Sequence, residues 1–160
     1  MSIKLVPYNP IWPKQYEAER LFTLEAIGKK ILYIDHIGST SVQGLGAKTI
    51  IDIIVGVPDK KIAEGIMRVL KPLGYAHISR GDDQDPNRFC CACRVYGGVS
   101  IHLHLVKYGS GFHLKHIIFR DWLRVHPEDA RRYYELELDL AETTTKSESY
   151  NYTAAIYINR

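Results

Sequence analysis

The chain has 160 residues, 46% apolar and 24% charged, with a formal charge of +3, the balance of one globular domain with one core. That balance excludes disordered and fibrous classes. The mild charge leaves no basic stripe for nucleic acid, and no apolar run approaches a membrane span.

MSIKLVPYNP lacks the apolar core of a signal peptide, so a cytoplasmic location is expected. Pro13 suits the first turn of a helix, and Leu21, Leu24, Ile27 and Ile31 recur at spacings that mark one helical face. YIDHI follows as a short strand. A turn crowded with glycine and hydroxyls comes next, Gly38-Ser39-Thr40-Ser41, and then TIIDIIVGV as a buried strand with a lone acid, Asp52, inside it. Pro58-Asp59 opens a second helix with the stripe Ile62, Ile66, Val69 and Leu70, ending near Pro72 and Gly74.

YAHIS reads as a short strand and RGDDQDPNR as a polar loop. FCCACRVYGGVSIHLHLVK reads as a hairpin about Gly97-Gly98. Its Cys90, Cys91 and Cys93 are too crowded for a disulfide framework and lack the second pair of a zinc site, so they read as small strand side chains. In the second arm Ile101, Leu103 and Leu105 alternate with Ser100, His102 and His104, which places both histidines on one face.

After Gly109-Ser110-Gly111 the chain turns helical, with Leu114, Ile118 and Trp122 at intervals of four. His113 and His116, at that helix start, read as surface residues, and Arg120, Arg124, Arg131 and Arg132 as surface charges paired with nearby acids. Pro127 starts another helix with Glu128 and Asp129 in its favourable first turn and with Tyr134, Leu138 and Ala141 as its apolar face. A last helical segment is expected from Tyr152 to Ile158. Strands in the middle and helices at both ends predict a single α+β domain over 1–160, built on a mixed sheet flanked by helices.

The turn and the lone aspartate carry the chemistry. Backbone donors at Gly38, with the Ser39 and Thr40 hydroxyls, suit a phosphate, and Lys48 or Arg94 can face one. Asp52 beside a strand bearing His102 and His104 suits a cation, with His36 a further candidate ligand. Each has a structural reading as well: Asp52 as a hydrogen-bonding loop anchor, the turn as a serine-capped corner, the histidines as satisfied core residues and Lys48 and Arg94 as solvated charges.

Strand, Gly-Ser turn, strand and aspartate at this distance resemble the opening of the nucleotidyltransferase motif. More sharply, HIGSTSVQGLGAKTIIDI resembles the signature of the GrpB family, matching at His36, Gly38, Ser39, Thr40, Val42, Gly44, Leu45, Ala47, Lys48, Ile50, Ile51 and Asp52. Trp12, HLHLV and FRDWLRVHPEDARRYYELELDLA extend the likeness over nearly the whole chain. The resemblance implies a nucleotidyltransferase-like α+β fold with C-terminal helices. It also implies a small phosphorylated ligand or nucleotide at Gly38, Ser39 and Thr40, and a divalent metal at Asp52, Mg²⁺ or Mn²⁺.

The departures are specific. The second motif carboxylate is replaced by Ile54, which cannot ligate a metal. The neighbouring strand offers His102 and His104, which suit Zn²⁺ better than Mg²⁺. Gln43 and Thr49 stand where the family has proline, and Ala154 and Ala155 where relatives carry a lysine after a tyrosine. Three functions follow as expectations: nucleotidyl transfer with Asp52 and His104 as catalytic residues, binding of a phosphorylated ligand without turnover, or hydrolysis at an Asp52–histidine transition-metal site.

Overall fold

The protein is described from a computed structural model covering residues 4–78 and 85–143. Along the chain run α1 (Trp12–Ile27), β1 (Tyr33–Ile37), β2 (Ile50–Val57), α2 (Lys60–Leu70), β3 (Ala76–Ile78), β4 (Arg88–Tyr96), β5 (Val99–Lys107), α3 (Gly111–Val125) and α4 (Pro127–Thr143). The fold is α+β, as the sequence predicts. The helix expected over Tyr152–Ile158 and most of the RGDDQDPNR loop lie outside the described residues.

The strands form one sheet in the order β1-β2-β5-β4-β3. Only the central β2–β5 pair is parallel, so the sheet is mixed. Local sequence sets the boundaries. Pro13 sits in the first turn of α1. The Asp59 carboxylate caps α2 by accepting from the Ile62 amide at 2.9 Å, and the Ser110 hydroxyl caps α3 by accepting from the His113 amide at 3.3 Å. Gly97 and Gly98 both take positive φ in the β4–β5 turn, as a two-residue hairpin loop demands.

The period of two along each strand divides the sheet into unlike faces. Ile51, Ile53, Val55 and Val57 of β2 and Ile101, Leu103 and Leu105 of β5 lie under α1 and α2, packed with Trp12, Ile27, Ala63 and Ile66. Each such side chain contributes roughly 1.5–3 kcal/mol by leaving water. The alternate residues, Asp52 and Ile54 with His102, His104 and Val106, form the other face. There α3 adds Phe112 and Ile117 over a small apolar cluster of Ile37, Ile54 and Val106.

This second face overturns three helix readings. On α3, Leu114, Ile118 and Trp122 are exposed, and His113, Arg120 and Leu123 are buried instead. On α4, Leu138 is exposed while Ala130, Tyr133 and Glu137 are buried. The sheet face beneath is partly polar, so both helices turn some polar side chains inward beside apolar ones and leave the expected stripe residues exposed. On α1, Leu21 is exposed and Glu19 is buried, because Arg94 binds Glu19 from the sheet.

Candidate functional site

Asp52 lies at the centre of the polar face. Its register partners are Ile37 on β1 and His102 on β5, and β5 in turn sets Cys93 beside His102 and Cys91 beside His104. The Asp52 carboxylate meets His104 Nε2 at 2.8 Å and His102 Nδ1 at 3.6 Å. The second distance exceeds hydrogen-bond length, so His104 is the tighter partner. Burial pushes the Asp52 carboxyl up, yet the two imidazoles more than offset it and hold it well below the usual carboxylate range. An ionised carboxylate only accepts, so His104 Nε2 carries the proton that it donates. Asp52 therefore stays charged, with its side chain one quarter exposed.

His116 joins this face from α3, contrary to its surface reading. Its Nδ1–H donates to the Phe112 carbonyl at 2.8 Å, which leaves Nε2 as the acceptor nitrogen. Burial lowers its pKa, against the attraction of the Asp52 charge. The missed signal was its place three residues after the buried His113, on a helix that begins directly after a strand bearing two inward histidines. His113 also leaves the surface, packed between the rings of Tyr33 and Tyr108. Arg120 is buried too: it binds Asp35 at 2.6 Å, Asp121 at 2.8 Å and the His36 carbonyl at 2.8 Å. Arg131 and Arg132 do lie on the surface, paired with Glu135 and Asp129.

The Gly38–Ser41 turn closes one end of the face. Gly38 has φ of +74°, which favours glycine, and a Cβ there would also crowd an Asp52 carboxylate oxygen at 3.1 Å. Each hydroxyl of the turn is engaged. Ser39 donates to Glu137 at 3.2 Å, Thr40 to the Ile50 carbonyl at 2.9 Å, and Ser41 to the Gly38 carbonyl at 2.5 Å. Arg124 clamps the Ser41 carbonyl at 2.9 and 3.1 Å. The Ser39 and Thr40 backbone N–H groups have no acceptor among the described residues.

Two expected members of the site lie elsewhere. His36 is opposite Ile53, on the α1 side of the sheet, stacked on Tyr16 at 4.7 Å. Its Nε2 meets the Thr40 hydroxyl at 3.0 Å. That hydroxyl already gives its proton to Ile50, so Nε2–H is the donor. Burial pushes His36 down to about 4, against the nearby Asp52 charge. It is a neutral strut for the turn and does not share a ligand position with Asp52. Arg94 is also on the α1 side, bound to Glu19 at 2.5 and 3.1 Å and stacked on Phe22, so it does not reach the turn. Lys48 stands half-buried in the loop that leads from the turn into β2.

The donor set does not fit a two-metal Mg²⁺ centre. Ile54, at the second carboxylate position, is fully buried with Ile37 and Val106, and Mg²⁺ prefers oxygen to imidazole. Among the described residues no group of three or more His, Cys, Asp or Glu side chains is arranged to hold a metal ion.

Comparison with known proteins now bears on the architecture. The profile of the family described as "GrpB protein" matches residues 2–160. The chain belongs to the GrpB family. Its fold superposes on the crystal structure of the conserved protein GrpB from Enterococcus faecalis with a TM-score of 0.82 and 27% identity, covering 98% of this chain and 93% of that one. A "glutamate-rich protein GrpB" of Alkalihalophilus pseudofirmus is 33% identical over 95% of this chain and 88% of its own length. A UPF0157 protein of Pseudomonas aeruginosa is 34% identical over 87% of this chain, and the match spans 57% of that relative's length. At 30% identity, 85% of the chain also matches 39% of a dephospho-CoA kinase of Mycobacterium tuberculosis. The chain thus spans most of the length of some relatives and only a part of others. Among the described residues no helix is long and apolar enough to cross a membrane.

Proposed function

We propose that this GrpB protein binds a small phosphorylated ligand, a nucleotide as first candidate, at the Gly38–Ser41 turn and the adjoining Asp52 face, without carrying out nucleotidyl transfer. The observation that carries the reading is the pairing of Asp52 with imidazoles while Ile54 seals the place of a second carboxylate. Phosphoryl transfer depends on charge stabilisation at the attacking and leaving oxygens, and one carboxylate bound to histidine does not supply it. The Ser39 and Thr40 amides and the Arg124-clamped turn favour an anion. The mycobacterial relative fits this company, since it is named as a kinase of dephospho-CoA, itself a phosphorylated compound.

Glu137 opposes a phosphate near Ser39, so the turn amides and not the Ser39 hydroxyl are the donors. Glu137→Gln is expected to strengthen binding. The deciding experiment is thermal unfolding and calorimetry with each nucleoside triphosphate, with and without Mg²⁺, Mn²⁺ or Zn²⁺, for wild type and Asp52→Ala, together with a pyrophosphate-release assay. Ligand at a hundred times its dissociation constant stabilises by about 2.7 kcal/mol. A shift without added metal and without pyrophosphate supports the reading. Pyrophosphate release that needs Mg²⁺ and vanishes in Asp52→Ala overturns it in favour of transfer, with Asp52 and His104 as the catalytic pair.

A second reading rests on the row formed by Asp52, His102 and His104: loss of the His104 Nε2 proton would turn it into a mixed nitrogen and oxygen site for Zn²⁺ or Mn²⁺. It predicts a transition metal that copurifies and is lost below about pH 6 as imidazoles protonate.

A further inference from the structure

A second concavity opens on the side of the sheet opposite Asp52, between α2 and the β3–β4 edge, with a volume of about 560 Å³. That lies within the roughly 300–1,000 Å³ typical of small-molecule sites. Its wall is apolar where Ala63, Met67 and Phe89 line it, and its rim carries Lys60, Arg68 and Lys71 with a single acid, Glu64. The arrangement follows from α2 and its C-cap Lys71, where Lys60, Glu64, Met67, Arg68 and Lys71 recur at helical spacing along one side. The edge strand β3 is only three residues long.

The charges on this rim are uncompensated. Lys60, Arg68 and Lys71 are exposed, and among the described residues none of them forms an ion pair. Glu64 sits one turn from both Lys60 and Arg68 and bridges neither. An apolar hollow edged by unpaired cations is complementary to a molecule with an apolar body and an anionic head. We propose that this groove binds a single-chain amphipathic anion, its chain over Met67 and Phe89 and its carboxylate or phosphate toward Arg68 and Lys71. This site is independent of the Asp52 face, since the sheet separates the two.

The test uses the full chain and three probes below their micelle concentrations: decanoate, decyl phosphate and decanol. Backbone amide NMR shifts report the location. Either anion is expected to shift Ala63, Met67, Ala76 and Phe89 while leaving Asp52 and His104 unmoved, and the two anions distinguish carboxylate from phosphate heads. His77→Trp, which fills the groove from an exposed edge position whose register partner Ala92 faces α2, should abolish the shifts. Arg68→Glu with Lys71→Glu should weaken the anions at least tenfold and leave decanol unchanged, and Asp52→Ala should have no effect. Thermal unfolding of each variant confirms that it remains folded. The inference is overturned if neither anion shifts these amides, if decanol binds as tightly as decanoate, or if charge reversal leaves anion affinity unaltered.

Discussion

Ile53 and Asp52 are adjacent residues of β2, and they face opposite environments. Ile53 is sealed beneath α1 and α2 among aliphatic side chains. Asp52 faces His102, His104 and the polar undersides of α3 and α4. On the first side, stability comes mainly from apolar area removed from water, with His36 and the Glu19–Arg94 pair as its ionisable members. On the second, it comes from a few directed contacts: Arg120 to Asp35, Arg124 to Ser41 and Ser39 to Glu137. Such contacts are costly to leave half made. The difference explains why α3 exposes Leu114, Ile118 and Trp122. A helix that presents His113 and Arg120 to the sheet and Leu123 to α4 leaves Leu114, Ile118 and Trp122 for solvent.

The comparison is sharpest at its apolar extreme. Leu103→Ala, at a fully buried position, should lower stability by about 4 kcal/mol through lost burial and a residual cavity, measured by urea unfolding. A loss under about 1 kcal/mol would mean that this face is not the main core.

Stability is expected to respond to pH through one ionisable residue on each face. His36 has its folded pKa depressed from 6.5 to about 4, so the unfolded chain binds its proton first as pH falls. Its contribution is complete above about pH 6.5 and is lost on descent toward pH 4, on the order of 3 kcal/mol. Asp52 has the same sign in a lower window: its contribution is lost only as pH falls below the ordinary carboxylate range. His36→Gln should flatten the stability profile between pH 6.5 and 4 and leave the steeper acid limb in place. An unchanged profile would remove His36 from this account.

Close packing on the polar side is tested at Gly46. A Cβ there would lie 2.5 Å from the Tyr134 ring of α4, so Gly46→Ala should cost about 2 kcal/mol by overpacking. In the Tyr134→Ala background the same change should cost far less, and additive losses in that double-mutant cycle would rule out the contact as the cause. The smallest effect is expected on the outer surface of α3. Ile118→Lys, at a position 64% exposed, should change the unfolding free energy by less than about 0.5 kcal/mol, and a larger loss would show that this stripe is covered.

Much of this was legible from local pattern. The five strands, the Gly97-Gly98 hairpin, the Pro13 and Pro127 helix starts and the shared face of His102 and His104 follow from turn chemistry and the period of two. The Gly38 and Asp52 pair was legible as a motif. The helix faces were not: spacing identified Leu114, Ile118 and Trp122 as a stripe but could not say whether the sheet beneath was apolar. Nor could it tell that His36 and Arg94, sequence neighbours of the site, would face α1.

The sequence by itself determined the elements, their order and the family, because propensity, capping and alternation act over a few residues. The tertiary structure decided which side chains meet. The parallel pairing of β2 with β5 brings Asp52 to His104 across 52 residues of chain, and the antiparallel registers of β1 with β2 and of β4 with β5 carry His36 and Arg94 to the opposite face. It also sets Ile54 into an apolar cluster and closes that position to a metal. Those outcomes depend on strand register and on what each face packs against, and no local signal contains them.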